Sequence, residues 1–163
     1  MKVVFAAVFT MFLQHPGMPA GMTHEQHMKQ MQKDAELKKR GALAMGFDQD
    51  KTTHHFRATP AGGSIEVAVK AAADAVSRDQ IRSHLKEIAA AFAKGDFAKP
   101  FQTHAEVPPG VPAMQRLKAA IRYKYEETPD GGAVRITTAD PDALKAVHEF
   151  LAYQGREHGH GGG

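Results

Sequence analysis

Ten histidines, eight methionines and no cysteine are spread over 163 residues. Imidazole and thioether are both ligands for copper-type ions, and they remain ligands where thiolates are oxidised. Two groupings stand out. His24, His27, Met28 and Met31 fall at i, i+3, i+4 and i+7, one face of a helix. Such a face offers two imidazoles and two thioethers, a set suited to Cu(I), where an ordinary amphipathic helix would carry Leu or Ile. Met18, Met22 and His15 lie just upstream. The second grouping is predicted from register: His54, His84 and His148 should each face the protein interior, with His104 in a Pro-rich connection that gives it no orientation. Neutral imidazole binds copper, zinc and haem iron. The plainer alternatives are hydrogen-bonded core histidines and methionines that fill gaps.

The elements that would position these residues are legible. Lys2 followed by the apolar run Val3 to Leu13 reads as a signal peptide, cut near Gln14 or somewhat later, which implies a periplasmic or secreted protein. The run is too short to span a bilayer, and no later segment suits stable membrane insertion. Residues 15–21 form a Pro/Gly linker, so 1–21 stand apart from a domain at 22–154. Thr23 and Gln26 have capping-box spacing before a helix reaching Arg40, with a short extension over 42–47.

A repeat is hidden further on. Residues 59–67 read TPAGGSIEV and residues 128–136 read TPDGGAVRI, an offset of 69 from Thr59 to Thr128. Each is predicted to be a hairpin with Gly-Gly as its turn, with strands near 53–59, 64–70, 121–127 and 133–138. A helix should follow each hairpin, one capped by Ser77 and Gln80 and running to Lys94, the other capped by Asp140 and reaching about Gln154. A gap of about five residues between the strand and helix offsets would make His84 and His148 equivalent. A short helix near 112–120 joins the units. The expected fold is α+β: two ββα units, about 53–95 and 121–154, forming a four-stranded antiparallel sheet with helices on one face. Residues 155–163 read as a flexible His/Gly tail in which His158 and His160 bind ions weakly at best.

The absence of cysteine excludes disulfides, thiolate zinc sites and a Cys nucleophile. The formal charge of +3 is dispersed, which gives no support to nucleic-acid binding. No metalloprotease, serine-hydrolase or phosphate-loop motif is present. Glu126 and Glu127 alternate across a strand, and Asp48 and Asp50 before His54 read better as loop caps than as metal ligands or an acid–base pair. The chain resembles a group of small exported bacterial proteins. The resemblance rests on Thr53-His54-His55-Phe56, Gln80-Ile81-Arg82 with His84-Leu85, Gly95-Asp96-Phe97, Pro108-Pro109-Gly110 and His148-Glu149-Phe150-Leu151, over about 22–158. It implies export and a single domain and carries no activity with it. The likeness to His/Met-rich periplasmic copper proteins is compositional, over about 15–31. The expected function is therefore transition-metal binding, copper first and zinc as alternative, for buffering, delivery or resistance. A haem or small-ligand module using an inward His, or a His-metal enzyme with an open site, are the alternatives. The expected partner is the metal ion, and the hairpins could complete their sheet in a homodimer.

Overall fold

The computed structural model describes residues 22–158. The residues read as a signal peptide and linker, 1–21, with His15 and Met18, lie outside those residues, as does His160. The chain falls into two units, 1–35 and 36–163. Helix α1 (His24–Met45) opens in the first. Its capping box forms as the spacing predicts: Thr23 N–H donates to Gln26 Oε1 at 2.9 Å, and Gln26 N–H to Thr23 Oγ1 at 3.2 Å. The helix passes through Gly41 without a break and ends at Met45, so of the extension expected over 42–47 residues 42–45 are its last turn, closed by Gly46 at φ 77°.

The second unit is an antiparallel sheet in the order β1-β2-β4-β3, from β1 (Thr52–Thr59), β2 (Gly62–Val69), β3 (Ile121–Thr128) and β4 (Gly131–Thr138). Helices α2 (Ala75–Ala93) and α5 (Pro141–His158) cover one face. The short helices α3 (Ala98–His104) and α4 (Val111–Arg116) lie in the connection. The fold is thus α+β, as expected. The opposite face is polar: Arg135 bridges Glu66 at 2.7 Å and Glu126 at 3.0 Å.

The hairpin turns differ from expectation. Thr59 pairs with Gly62 and Thr128 with Gly131, so the turns are Pro60-Ala61 and Pro129-Asp130. The Gly-Gly pairs instead begin β2 and β4, where they allow close approach. A Cβ on Gly62 would stand 2.0 Å from the Ile136 carbonyl oxygen, and one on Gly131 would stand 2.1 Å from that of Val67. The α2 cap also lies three residues earlier than predicted. Asp74 accepts from the Ser77 backbone N–H at 3.0 Å and from its hydroxyl at 2.7 Å.

The repeat becomes a pseudo-twofold axis. In the β2–β4 register Ile65 pairs with Val134, its own counterpart at the offset of 69. Each helix crosses the axis: α2 packs chiefly on β3 and β4, and α5 chiefly on β1 and β2. Helix counterparts are fixed by what they touch. Leu85 lies over Gly132, and Leu151 over Gly63. Arg82 donates to the carbonyls of Thr128 and Gly131, while His148 Nε2 reaches those of Thr59 and Gly62 at 2.9 and 3.1 Å. The helix offset is therefore 66 (Leu85 to Leu151), three less than the strand offset. The cause is plain: five residues, 70–74, lead from β2 to α2, but only two, 139–140, lead from β4 to α5.

Candidate functional site

An offset of 66 places His148 opposite Arg82 and His84 opposite Phe150. The expectation that His84 and His148 are equivalent is corrected accordingly. His148 is half-buried and clamps the β1–β2 turn, away from the interior cluster. His148 fits a hydrogen-bonding role: its Nε2–H points at two carbonyl oxygens, neither of which can donate a proton.

The other interior histidines do converge, and a fourth joins them. A cavity of about 60 Å³ is lined by His54 from β1, His84 from α2, His104 from α3 and His158 from α5, with Met45, Phe56, Lys99, Thr103, Phe150 and Gln154 among their neighbours. Each arrives for a local reason. His54 alternates with outward His55 along β1, opposite Val67 of β2. His84 lies on the apolar stripe of α2 with Ile81, Leu85 and Ile88, and is 8% exposed. His104 ends α3. Ala105, the only non-glycine residue with positive φ among the described ones, closes that helix at φ 57°, and its N–H bonds Phe101 O at 2.7 Å. Arg40 Nε bonds the Thr103 carbonyl at 3.1 Å and pins the same turn. His158 sits one turn beyond the predicted end of α5: the helix takes up residues 155–158, which the sequence assigned to the flexible tail.

The rings are close. His104 and His158 have centroids 5.0 Å apart, and His54 and His158 6.0 Å. The Phe47 ring stacks on His54 and meets His84 edge-on. Burial pushes the imidazoles toward the neutral form, because a charged ring loses its water there. His54 falls to about 4, with help from the charges of His55 and Lys70. His84 falls to about 4, with help from Lys99. His158 falls to about 3, with His104 and His54 adding to the effect. His104 is also lowered by burial, against a hydrogen bond to Gln154 that works the other way. All four rings are therefore neutral at physiological pH and keep a lone pair.

Their ring nitrogens are under-used. His54 Nε2, His84 Nδ1, His104 Nδ1 and Gln154 Nε2 are buried without a hydrogen-bond partner. An orphaned buried polar atom costs roughly 1–3 kcal/mol, and four residues facing one cavity carry them. His104 Nε2 does have neighbours, Gln154 Oε1 at 3.1 Å and His158 Nε2 at 3.2 Å. Among the described residues no three His, Asp or Glu stand ready to hold a metal ion together.

The N-terminal candidates belong to the first unit. Met28 and Met31 are 52% and 55% exposed, His24 is exposed and His27 half-buried. The Met/His face is thus formed by the helix, without a buried setting for its thioethers. Gln154 was missed as a candidate, and His158 was read only as part of a weak ion site in a flexible tail. For Gln154 a signal was present: a polar residue three after Leu151 on the apolar stripe of α5. For His158 the Gly-rich surroundings concealed the helix.

No protein-family model, curated protein or solved structure matches this chain. Among the described residues no helix is long and apolar enough to cross a membrane.

Proposed function

We propose that the protein binds one late transition-metal ion, copper or zinc, in the cavity lined by His54, His84, His104 and His158. The observation that carries this reading is the set of three orphaned imidazole nitrogens around one cavity. Neutral imidazole is a ligand without first losing a proton, so burial here prepares the rings for a cation. Imidazoles that share one tetrahedral ion at about 2.0 Å have ring centroids roughly 5 Å apart. The His104–His158 and His54–His158 separations, 5.0 and 6.0 Å, approach that value, so for these pairs ligation asks for ring rotation more than backbone movement. Met45 at the cavity wall adds a soft thioether suited to Cu(I). Export would place such a site where copper and zinc are handled without thiolates.

The volume favours an ion over a haem. Organic ligands occupy pockets of roughly 300–1,000 Å³, against about 60 Å³ here. The test is X-ray absorption on the full chain loaded with one equivalent of Cu(I) or Zn(II). A shell of nitrogen neighbours near 2.0 Å with imidazole outer-shell scattering, lost in His54→Tyr/His84→Phe, supports the reading. The same spectrum in that double variant would place the ion elsewhere and refute it.

A further inference from the structure

A bare cation would satisfy His54, His84 and His104, yet it would leave one orphan worse off. Gln154 is 5% exposed and lines the cavity. Its Oε1 accepts from His104 Nε2–H, which fixes that ring as the Nε2–H tautomer and frees Nδ1. The two N–H groups on Gln154 Nε2 then have no acceptor. They cannot ligate a metal, and they would be repelled by one. The duplicated fold shows what packing accepts at this place: the counterpart of Gln154 is Ile88, a core residue that borders the same cavity. An amide here is therefore not explained by the scaffold.

Resting on the metal reading above, we propose that the ion carries a small hydrogen-bond-accepting ligand, hydroxide or a compact anion, and that Gln154 Nε2 donates to it. The site is then an open one, with protein ligands on one side and an exchangeable ligand on the other, the arrangement that lets a metal bind or activate a small molecule. Space agrees. One water needs about 10–15 Å³ of such volume, so a cavity of about 60 Å³ holds an ion together with a ligand of two or three heavy atoms. Phe56 and Phe150 are also among its lining residues, which favours a compact ligand over a hydrated one. Lys99, which also lines the cavity, is already paired with Glu87 at 2.7 Å, so the ligand's charge would be met chiefly by the ion.

The experiment uses the full chain loaded with saturating cobalt(II), whose visible ligand-field bands report the ligand set, and azide as the test anion. Azide is expected to shift the bands saturably in the wild type. A parallel pH titration without azide should show one transition from bound water becoming hydroxide. Gln154→Glu keeps an oxygen for His104 but replaces the donor by a carboxylate oxygen. Its azide affinity should fall at least ten-fold, as expected for losing a hydrogen bond to a charged group. Gln154→Ile, the residue of the opposite half, should give a similar loss. Equal azide affinity in all three proteins overturns the open-site proposal while leaving metal binding standing. Failure of the wild type to give cobalt bands that vanish in His54→Tyr/His84→Phe overturns the metal reading itself.

Discussion

On one side of the pseudo-twofold axis Phe92 meets Tyr123 edge-on at 5.7 Å; on the other, His158 lies 6.0 Å from His54. These are counterpart positions, Phe92 to His158 by the helix offset and Tyr123 to His54 by the strand offset. The first side is filled hydrocarbon, where Phe97 stacks on Phe92 at 4.3 Å and Phe150 completes the packing. The second carries imidazoles and a cavity. The same duplicated backbone thus carries aromatic and aliphatic side chains at one set of positions and imidazoles and an amide at their counterparts, and Ile88, Phe92 and Phe150 of the first set border the cavity as well. The filled side serves as an internal control. It shows which residues the scaffold needs for packing, namely Tyr123, Phe150, Ile88 and Phe92, and hence that His54, His84, Gln154 and His158 answer some other demand. Proteins hold such costly groups at functional sites and offset them elsewhere.

The contrast breaks most sharply under acid. The folded His54 and His84 protonate near 4, whereas an unfolded histidine does so near 6.5. Between those values the unfolded chain binds more protons, so stability is full above about pH 7 and falls as the pH drops from 6.5 to 4. The loss should be on the order of 3 kcal/mol for each ring. Urea unfolding across that range should show it, and His54→Tyr/His84→Phe should make the curve shallower, with His158 and His104 keeping the remainder. An unchanged slope in the double variant would mean that these rings are hydrated.

The shared scaffold can be broken at either end. Gly62→Ala and Gly131→Ala each force a Cβ into a carbonyl of the neighbouring strand, at an expected cost of about 2–4 kcal/mol. Gly62 should be the worse, since its φ of 145° adds strain. Similar midpoints for wild type and both variants would contradict the close approach of β2 and β4. The two turn clamps offer a smaller effect. Arg82→Ala removes charge-assisted bonds to Thr128 and Gly131 and should cost about 2 kcal/mol, against about 1 kcal/mol for His148→Ala. His148→Ala should also leave metal uptake untouched, which a competition titration against a chelator checks. The smallest change sharpens the control side. Tyr123 OH is buried without a partner, so Tyr123→Phe should stabilise the fold by up to about 1 kcal/mol. It should do nothing to metal uptake.

Much of this frame was legible from local signals. The TPxGG repeat gave both hairpins, because two-residue turns and alternating strands leave a period-2 trace, and Thr23 and Gln26 announced α1 through cap chemistry. His54 could be aimed inward because strand parity is rigid. What failed depended on distances along loops. Five residues before α2 and two before α5 shift the helical phase, and that shift turned His148 from presumed partner of His84 into a turn clamp. His104 had no readable orientation, because α3 spans less than two turns and is placed by Arg40 and Ala105. His158 was hidden by composition: a Gly-rich stretch is an intrinsically poor helix, and only packing against Phe56, His54 and His104 makes it one.

The most direct test converts the pocket into its own control. In the full chain, His54→Tyr, His84→Phe, Gln154→Ile and His158→Phe together give one end the residues of the other. Metal bound after loading with Cu(I) or Zn(II) and desalting is then counted by plasma mass spectrometry beside the wild type. The expected result is a folded, acid-tolerant protein that has lost one equivalent of metal. Equal metal content in the two proteins would contradict the claim that this cavity is the binding site.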